Sequence, residues 1–301
     1  MRIAFVGLPL AALLLHADGH DVVWAGLCRK GALGTRRLIS TIGSTNVAIV
    51  PDLELVQTAA AVRERTPELI VSWFWTRKVP ASFRAIAPLG AVGVHPSLLP
   101  RHRGPDPYFW AIDAGDLVTG VTAHALDDEY DTGAVLAQRE LAINPTWNAW
   151  TLAKRLDRPS LALLRETVAA FARGAPPRPI PQDDALATAA EQPSEEQLEI
   201  RWASMDAASI ERRVRAASPW PGAFTEIRNI AVTLTRVRAT TDDAAVLAAL
   251  EPGEAIVRGD GVAIVRAREG AVELLGGVGG EGDEDERELD AHALASIVAE
   301  A

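Results

Sequence analysis

GVHPSLLPRHRGPDP, Gly93 to Pro107, places a histidine directly ahead of a proline, then a short apolar run, then a basic loop. The residues leading into it, GAVGVH, read as a short strand. Pro96 has no N–H for a ladder, so that strand ends at His95. In an open α/β sheet, ligands bind beyond the carboxyl ends of the strands, so His95 stands where a ligand would arrive if the flanking chain builds such a sheet.

The flanks have that pattern. RIAFV (Arg2 to Val6) reads as a buried strand, LPLAALLLHADGH as a helix closed at Gly19, and DVVWAGL (Asp21 to Leu27) as a second strand. LELVQTAAAVRERTPE is amphipathic and predicts a helix, and LIVSWFW (Leu69 to Trp75) is nearly all apolar, as a strand covered on both faces would be. GVTAHALD (Gly120 to Asp127) predicts a further strand, and TLAKRLDRPSLALLRETVAAFARG a helix that Pro159 should kink or divide. The alternation predicts a parallel sheet wrapped by helices over residues 1–178. APPRPIPQDDALATAAEQPSEEQ, rich in proline and polar residues, predicts a linker at 179–198. Residues 199–301 change character. A helix at MDAASIERRVRAAS and short apolar runs broken by turns predict a small β-barrel of OB-like type.

Composition narrows the function. The chain has 301 residues, a net charge of −10 and one cysteine, Cys28, which excludes an internal disulfide and points to the cytoplasm. The apolar start reads as strand, turn and helix, not as a secretory leader, and no stretch has the roughly 18 to 20 unbroken apolar residues of a membrane span. GLPLAA, after the first strand, lacks the later glycines of the dinucleotide fingerprint, which argues against a nicotinamide cofactor. No metal-ligand spacing is present. HALDDEYDTGAVL runs from a strand into a loop bearing Asp127, Asp128, Glu129 and Asp131, then turns at Gly133. By themselves, a lone histidine and a solvated acidic loop specify little.

Together, HPSLLPRHRG and TGVTAHALDDEYDTGAVLAQ resemble the formyltransferases that use 10-formyltetrahydrofolate, a family that includes methionyl-tRNA and sugar N-formyltransferases. PELIVSWFWTRKVP is similar to the family's strand and folate-site loop, and IRWASMDAASIERRVRAASPWPGAFTEI to the start of its carboxyl-terminal domain. The resemblance implies a Rossmann-like catalytic domain and a second barrel domain. It also implies a trio of asparagine, histidine and aspartate, in which His95 matches the histidine and Asp131 the aspartate. The asparagine position is Gly93. For folate, the resemblance implies Arg77, Lys78 and Val79 through mainly backbone contacts, with Ser97, Leu98, Leu99 and Pro100 and the loop from Asp127 through Tyr130 as the other walls.

Formyl transfer to an amine passes through a tetrahedral carbon whose oxygen gains charge, so the site needs a base for the amine proton and donors for that oxygen. The resemblance implies His95 as the base, with Asp131 holding its tautomer. Gly93 has no amide to donate. Loss of one such donor costs about 2.7 to 4 kcal/mol, roughly a hundredfold to a thousandfold in rate. Three accounts stay open: an active enzyme that meets the oxyanion with protonated His95, a backbone N–H, a water or the substrate; a glycine that makes room for a bulkier acceptor; and a folate-binding protein without turnover. The acceptor follows from charge. Residues 199–301 hold 19 acidic residues against 11 arginines, a balance of −8, with GGEGDEDERELD (Gly279 to Asp290) adding to it. A tRNA partner wants the opposite sign. CRKGALGTRR gathers Arg29, Lys30, Arg36 and Arg37 in one loop near the expected mouth of the site, where it could meet RNA or the phosphates or carboxylates of a small substrate. The charge favours a small-molecule or carrier-bound amine over methionyl-tRNA.

Overall fold

In the computed structural model, the described residues are 1–227, 230–242, 244–279 and 287–299. The acidic run at 280–286 lies outside them. The chain divides into two compact units. The first takes Met1–Pro107, Val118–Ala142 and Lys154–Glu191; the second takes Tyr108–Leu117, Ile143–Ala153 and Gln192–Ala301.

The first unit carries seven strands: β1 (Arg2–Gly7), β2 (Asp21–Leu27), β3 (Val47–Ile49), β4 (Leu69–Trp73), β5 (Ala91–His95), β6 (Val118–Ala125) and β7 (Val135–Ala142). Their order is β3-β2-β1-β4-β5-β6-β7. Pairing is parallel from β3 to β5, as the apolar strands predict. β6 and β7 then run antiparallel to their neighbours, which corrects the expectation of a parallel sheet throughout. β7 is suited to that edge: it carries Gln138, Arg139 and Glu140 exposed in succession, where a strand inside a parallel sheet would be covered. This is a mixed, Rossmann-like sheet.

Side chains alternate across a strand, so one face of the sheet bears Ile70 and Ser72 on β4, Ala91, Gly93 and His95 on β5, and Thr122 and His124 on β6. Toward the strand starts, this face is core. Ala4, Val6, Ile70 and Ala91 pack with Trp24, Val62, Val79 and Phe83. Toward the carboxyl end of β5, it becomes polar. The same face thus supplies both the hydrophobic anchor and the polar site.

The helix Ala149–Ala172 passes through Pro159 as one element, so of the two outcomes the sequence allows, a kink or a division, division does not occur. Its Ser160 hydroxyl accepts the indole N–H of Trp73 at 2.7 Å in a buried contact. Trp73 is 4% exposed, the core role expected of at least one of this pair of tryptophans. Trp75, beyond the end of β4, is half-buried under the Arg77 guanidinium at 4.3 Å.

The segment expected to be a linker stays with the first unit as far as Glu191. Ile180 exchanges backbone hydrogen bonds with Val135 at 2.8 and 2.9 Å, and Arg103 does so with Thr188 and Ala190 at 2.9 and 2.6 Å. A proline-rich run lacks apolar period, yet it can satisfy its backbone groups against a neighbouring loop, and periodicity is blind to that.

The second unit is built on six strands: β8 (Ala223–Ile227), β9 (Ile230–Thr240), β10 (Ala255–Val257), β11 (Ala263–Arg266), β12 (Ala271–Gly279) and β13 (Arg287–Asp290). Five pair antiparallel in the order β10-β11-β12-β9-β8, and β13 pairs with β12. The helix Ala207–Ala217 is capped by Asp206, which accepts from the Ser209 N–H. Within the unit, Arg213 grips Asp113 through two bonds of 2.6 and 2.9 Å. Glu273, fully buried on β12, is neutralised by Arg238 and Arg258 at 2.6 and 2.8 Å.

Replacing Ser160 by Ala leaves the Trp73 N–H buried without its acceptor. Urea unfolding should show a loss of about 1 to 3 kcal/mol; an unchanged midpoint would show that this bond does not hold the end of β4.

Candidate active site

Asp131 and His95 lie 36 positions apart in sequence and meet in space. β5 ends at His95, and the loop after β6 returns Asp131 to it, with His95 Nδ1 and Asp131 Oδ2 at 3.4 Å. Both are largely buried: the side chains are 7% and 19% exposed. His95 Nε2 stands 2.8 Å from the His102 carbonyl. A carbonyl only accepts, so Nε2 carries the proton in this arrangement and Nδ1 is left to the carboxylate. To accept a proton at Nε2, the ring must leave that carbonyl and carry its own proton on Nδ1, toward Asp131.

Asp131 is held from several sides. The Gly104 N–H donates to Oδ2 at 3.0 Å. His124, on β6, places Nε2 at 3.7 Å from Oδ1, while its Nδ1 donates to the Ala125 carbonyl at 2.9 Å. Burial holds the His124 imidazole below the ordinary histidine range, against the pull of Asp131. The backbone of Asp131 is left-handed, with φ of 58°, a conformation that non-glycine residues adopt rarely and at a cost.

Gly93 faces His124 across the β5–β6 ladder and Ser72 across the β4–β5 ladder. A Cβ there would stand 3.1 Å from Leu126 Cδ2, with the Ser72 Cβ and carbonyl oxygen at 3.5 and 3.6 Å. The space beside the glycine is therefore partly taken by an apolar methyl.

The two expected folate loops come together. Arg84 donates to the carbonyls of both Val79 and Asp127 and pairs with Asp128 at 2.5 Å. Lys78 reaches Glu129 at 2.9 Å and lies over the Tyr130 ring. Arg77 and Lys78 are exposed, whereas the Val79 side chain belongs to the core, which leaves its backbone as the available contact. Asp127 uses its carboxylate to accept from the Thr132 hydroxyl at 2.7 Å. On the third loop, the Ser97 hydroxyl donates to the Arg101 carbonyl at 2.6 Å and the Leu99 N–H donates to Thr122 at 3.0 Å; Leu98 and Pro100 are half-buried beside them. These last contacts shape the loop itself. Among the described residues, no cluster of three or more histidine, cysteine or acidic groups is placed to hold a metal, and no helix is long and apolar enough to cross a membrane.

Comparison with known proteins bears on this arrangement. Residues 51–168 match the family described as formyl transferase, and residues 193–278 match the formyl transferase C-terminal domain. The methionyl-tRNA formyltransferase of Chloroflexus aurantiacus is 34% identical over 291 residues, 91% of each chain. That of Roseiflexus sp. RS-1 is 41% identical over 277 residues, covering 88% of this chain and 84% of that protein. The chain belongs to the formyl transferase family. Among solved structures, HypX from Aquifex aeolicus in complex with tetrahydrofolic acid aligns with a TM-score of 0.65 at 21% identity; all of this chain matches 48% of that one. The N-formyltransferase from Helicobacter canadensis, in complex with folinic acid and dTDP-3-aminofucose, aligns with a TM-score of 0.64 at 14% identity, covering 91% of this chain and 98% of that one. At those identities the likeness is one of fold.

Several residues around the carboxylate of this formyltransferase escape a reading of the sequence. His124 is one; its signal was its even spacing from Thr122 and Leu126, which puts it on the polar face. Gly104, His102, Gln182 and Thr188 are others, and their roles depend on loop paths that no spacing encodes.

The depressed His124 pKa has a measurable consequence. His20 is lowered too, first by burial and then by the charged amino terminus. A histidine with a folded pKa below its unfolded value, near 6.5, binds protons preferentially when unfolded, so stability falls as pH drops below about 6.5 and is recovered above it. The groups facing His124 are Asp131, His95, Asp127 and the Ala125 carbonyl. The melting temperature of this formyltransferase should fall on acidification below pH 6.5, and His124→Gln should flatten that slope. An unchanged slope would show that His124 is not neutral when folded.

Proposed function

We propose that this formyltransferase moves the formyl group of 10-formyltetrahydrofolate onto an amino group at the carboxyl end of β5, with His95 and Asp131 carrying the chemistry. The observation that carries this is the buried contact of 3.4 Å between an imidazole at the end of β5 and a carboxylate from the loop after β6. The co-substrate supplies the formyl carbon. The folate loops suit it: they are tied together at Arg84, and the buried indole N–H of Trp75 has no partner among the described residues, a donor suited to a ring rich in acceptors.

In this account, Asp131 keeps the His95 ring oriented and stabilises its charged form once a proton arrives. His95 Nε2 turns from the His102 carbonyl to the reacting centre as the ring's one proton takes up Nδ1, against Asp131. There Nε2 takes the proton of the attacking amine and presents N–H to the charged oxygen. That second duty covers part of what Gly93 lacks. When the tetrahedral carbon collapses, its bond to the folate nitrogen breaks, and that nitrogen leaves as tetrahydrofolate with a proton returned through His95 or water.

For the acceptor, the acidic balance of the chain favours a small or carrier-bound amine. A second reading, methionyl-tRNA, is favoured by the names of the relatives that match along nine-tenths of their length. Transfer to initiator methionyl-tRNA and to nucleotide-linked aminosugars, each measured from 50 to 200 mM salt, separates them. A tRNA acceptor should lose affinity by orders of magnitude over that range, roughly a thousandfold for six phosphate contacts; a small amine should lose little. The small-amine reading predicts aminosugar formylation with shallow salt dependence, and efficient, salt-sensitive formylation of methionyl-tRNA alone would replace it.

His95→Ala should abolish transfer while leaving folate binding within about threefold; unchanged transfer would reject His95 as the base. Gly93→Asn combined with Leu126→Ala, which clears the methyl at 3.1 Å, should raise turnover by about tenfold or more by restoring a donor. A fall in turnover would mean that substrate uses the space.

A further inference from the structure

We infer that Gln182, on the strap that follows the catalytic sheet, is a positioning residue for Asp131; this rests on the reading of the site given above. Its side-chain amide has two N–H donors and two acceptor lone pairs, and all four are used. Nε2 donates to the Asp131 carbonyl at 2.8 Å and to the Gly133 carbonyl at 2.7 Å. Oε1 accepts from Arg103 Nε at 3.0 Å and Nη2 at 2.8 Å. The guanidinium is fixed in turn by Asp184 at 2.9 Å.

The placement matters because of what Gln182 holds. Asp131 has φ of 58°, and an aspartate persists there only if its surroundings over-determine it. The amide seizes the carbonyls on both sides of Thr132 and so fixes the turn that aims the carboxylate at His95. The strap also reaches the other partner. The Thr188 hydroxyl accepts from the His102 N–H at 2.8 Å, and the His102 carbonyl is the one that engages His95 Nε2. Ala190 is bonded to Arg103 and Asp106, on either side of Gly104, whose N–H donates to the Asp131 carboxylate. One segment, Ile180 to Ala190, thereby holds the chain on which both members of the pair are placed. Its ends are pinned by backbone bonds at Val135 and Arg103, so its path survives loss of one side chain.

The test is a set of Gln182 variants in single-turnover formyl transfer, with 10-formyltetrahydrofolate and whichever probe is formylated, initiator methionyl-tRNA or a nucleotide-linked aminosugar. Gln182→Ala should lower the transfer rate about tenfold to a hundredfold, as misplacement of a reacting group by an ångström does, with KM for the folate within about threefold. Gln182→Glu, which sets carboxylate oxygen against two carbonyls, should lose more than Ala. In an Asp131→Ala background, Gln182→Ala should cost nothing further, because a residue acting through Asp131 has nothing left to act on. Loss that adds in full to Asp131→Ala, or a rate unchanged in Gln182→Ala while His95→Ala is inactive, overturns the assignment and leaves the reading of the site intact. Full transfer by His95→Ala overturns both. A melting scan of each variant identifies any loss caused by unfolding.

Discussion

A carboxylate held against an imidazole from a left-handed backbone is the constraint on which the rest of this structure turns. Asp131 is aimed by two independent restraints: a backbone N–H on its carboxylate and an amide on its carbonyl. Neither is strong alone, each being worth about 1 kcal/mol or little more. Together they fix a geometry the residue would not choose. Preorganisation of this kind is what lets one carboxylate orient a ring without having to move during the reaction.

The sheet makes the arrangement possible. Along one face of β5, Ala91 lies in the core, Gly93 lies against Leu126 and His95 stands at the polar end. The apolar half anchors the strand, and Pro96 ends it where the loops begin. The switch from parallel to antiparallel pairing at β6 brings His124 opposite Gly93, so the position that lacks a side chain faces a buried, neutral imidazole. In the proposed mechanism, catalysis without the amide leans on the His95 N–H.

Much of this was legible in the residues. Apolar runs marked β1, β2, β4 and β5, and the two motifs carrying His95 and Asp131 pointed to one family and one chemistry. What was not legible has physical causes. The linker could not be recognised as a strap, because backbone bonds to a neighbouring loop leave no hydrophobic period. The two units could not be drawn from a linear boundary, because Tyr108–Leu117 and Ile143–Ala153 return to the second one. The antiparallel β7 was hidden by its charges. Leu126 beside Gly93 was invisible because pairing register, not composition, puts them together.

The most direct measurement is a crystal structure with a stable formyl-folate analogue bound. The account predicts the formyl carbon about 3 to 4 Å from His95 Nε2, with the imidazole released from the His102 carbonyl and Asp131 still on Nδ1. A folate bound elsewhere, or a ring that stays on that carbonyl with the formyl group out of its reach, would contradict it.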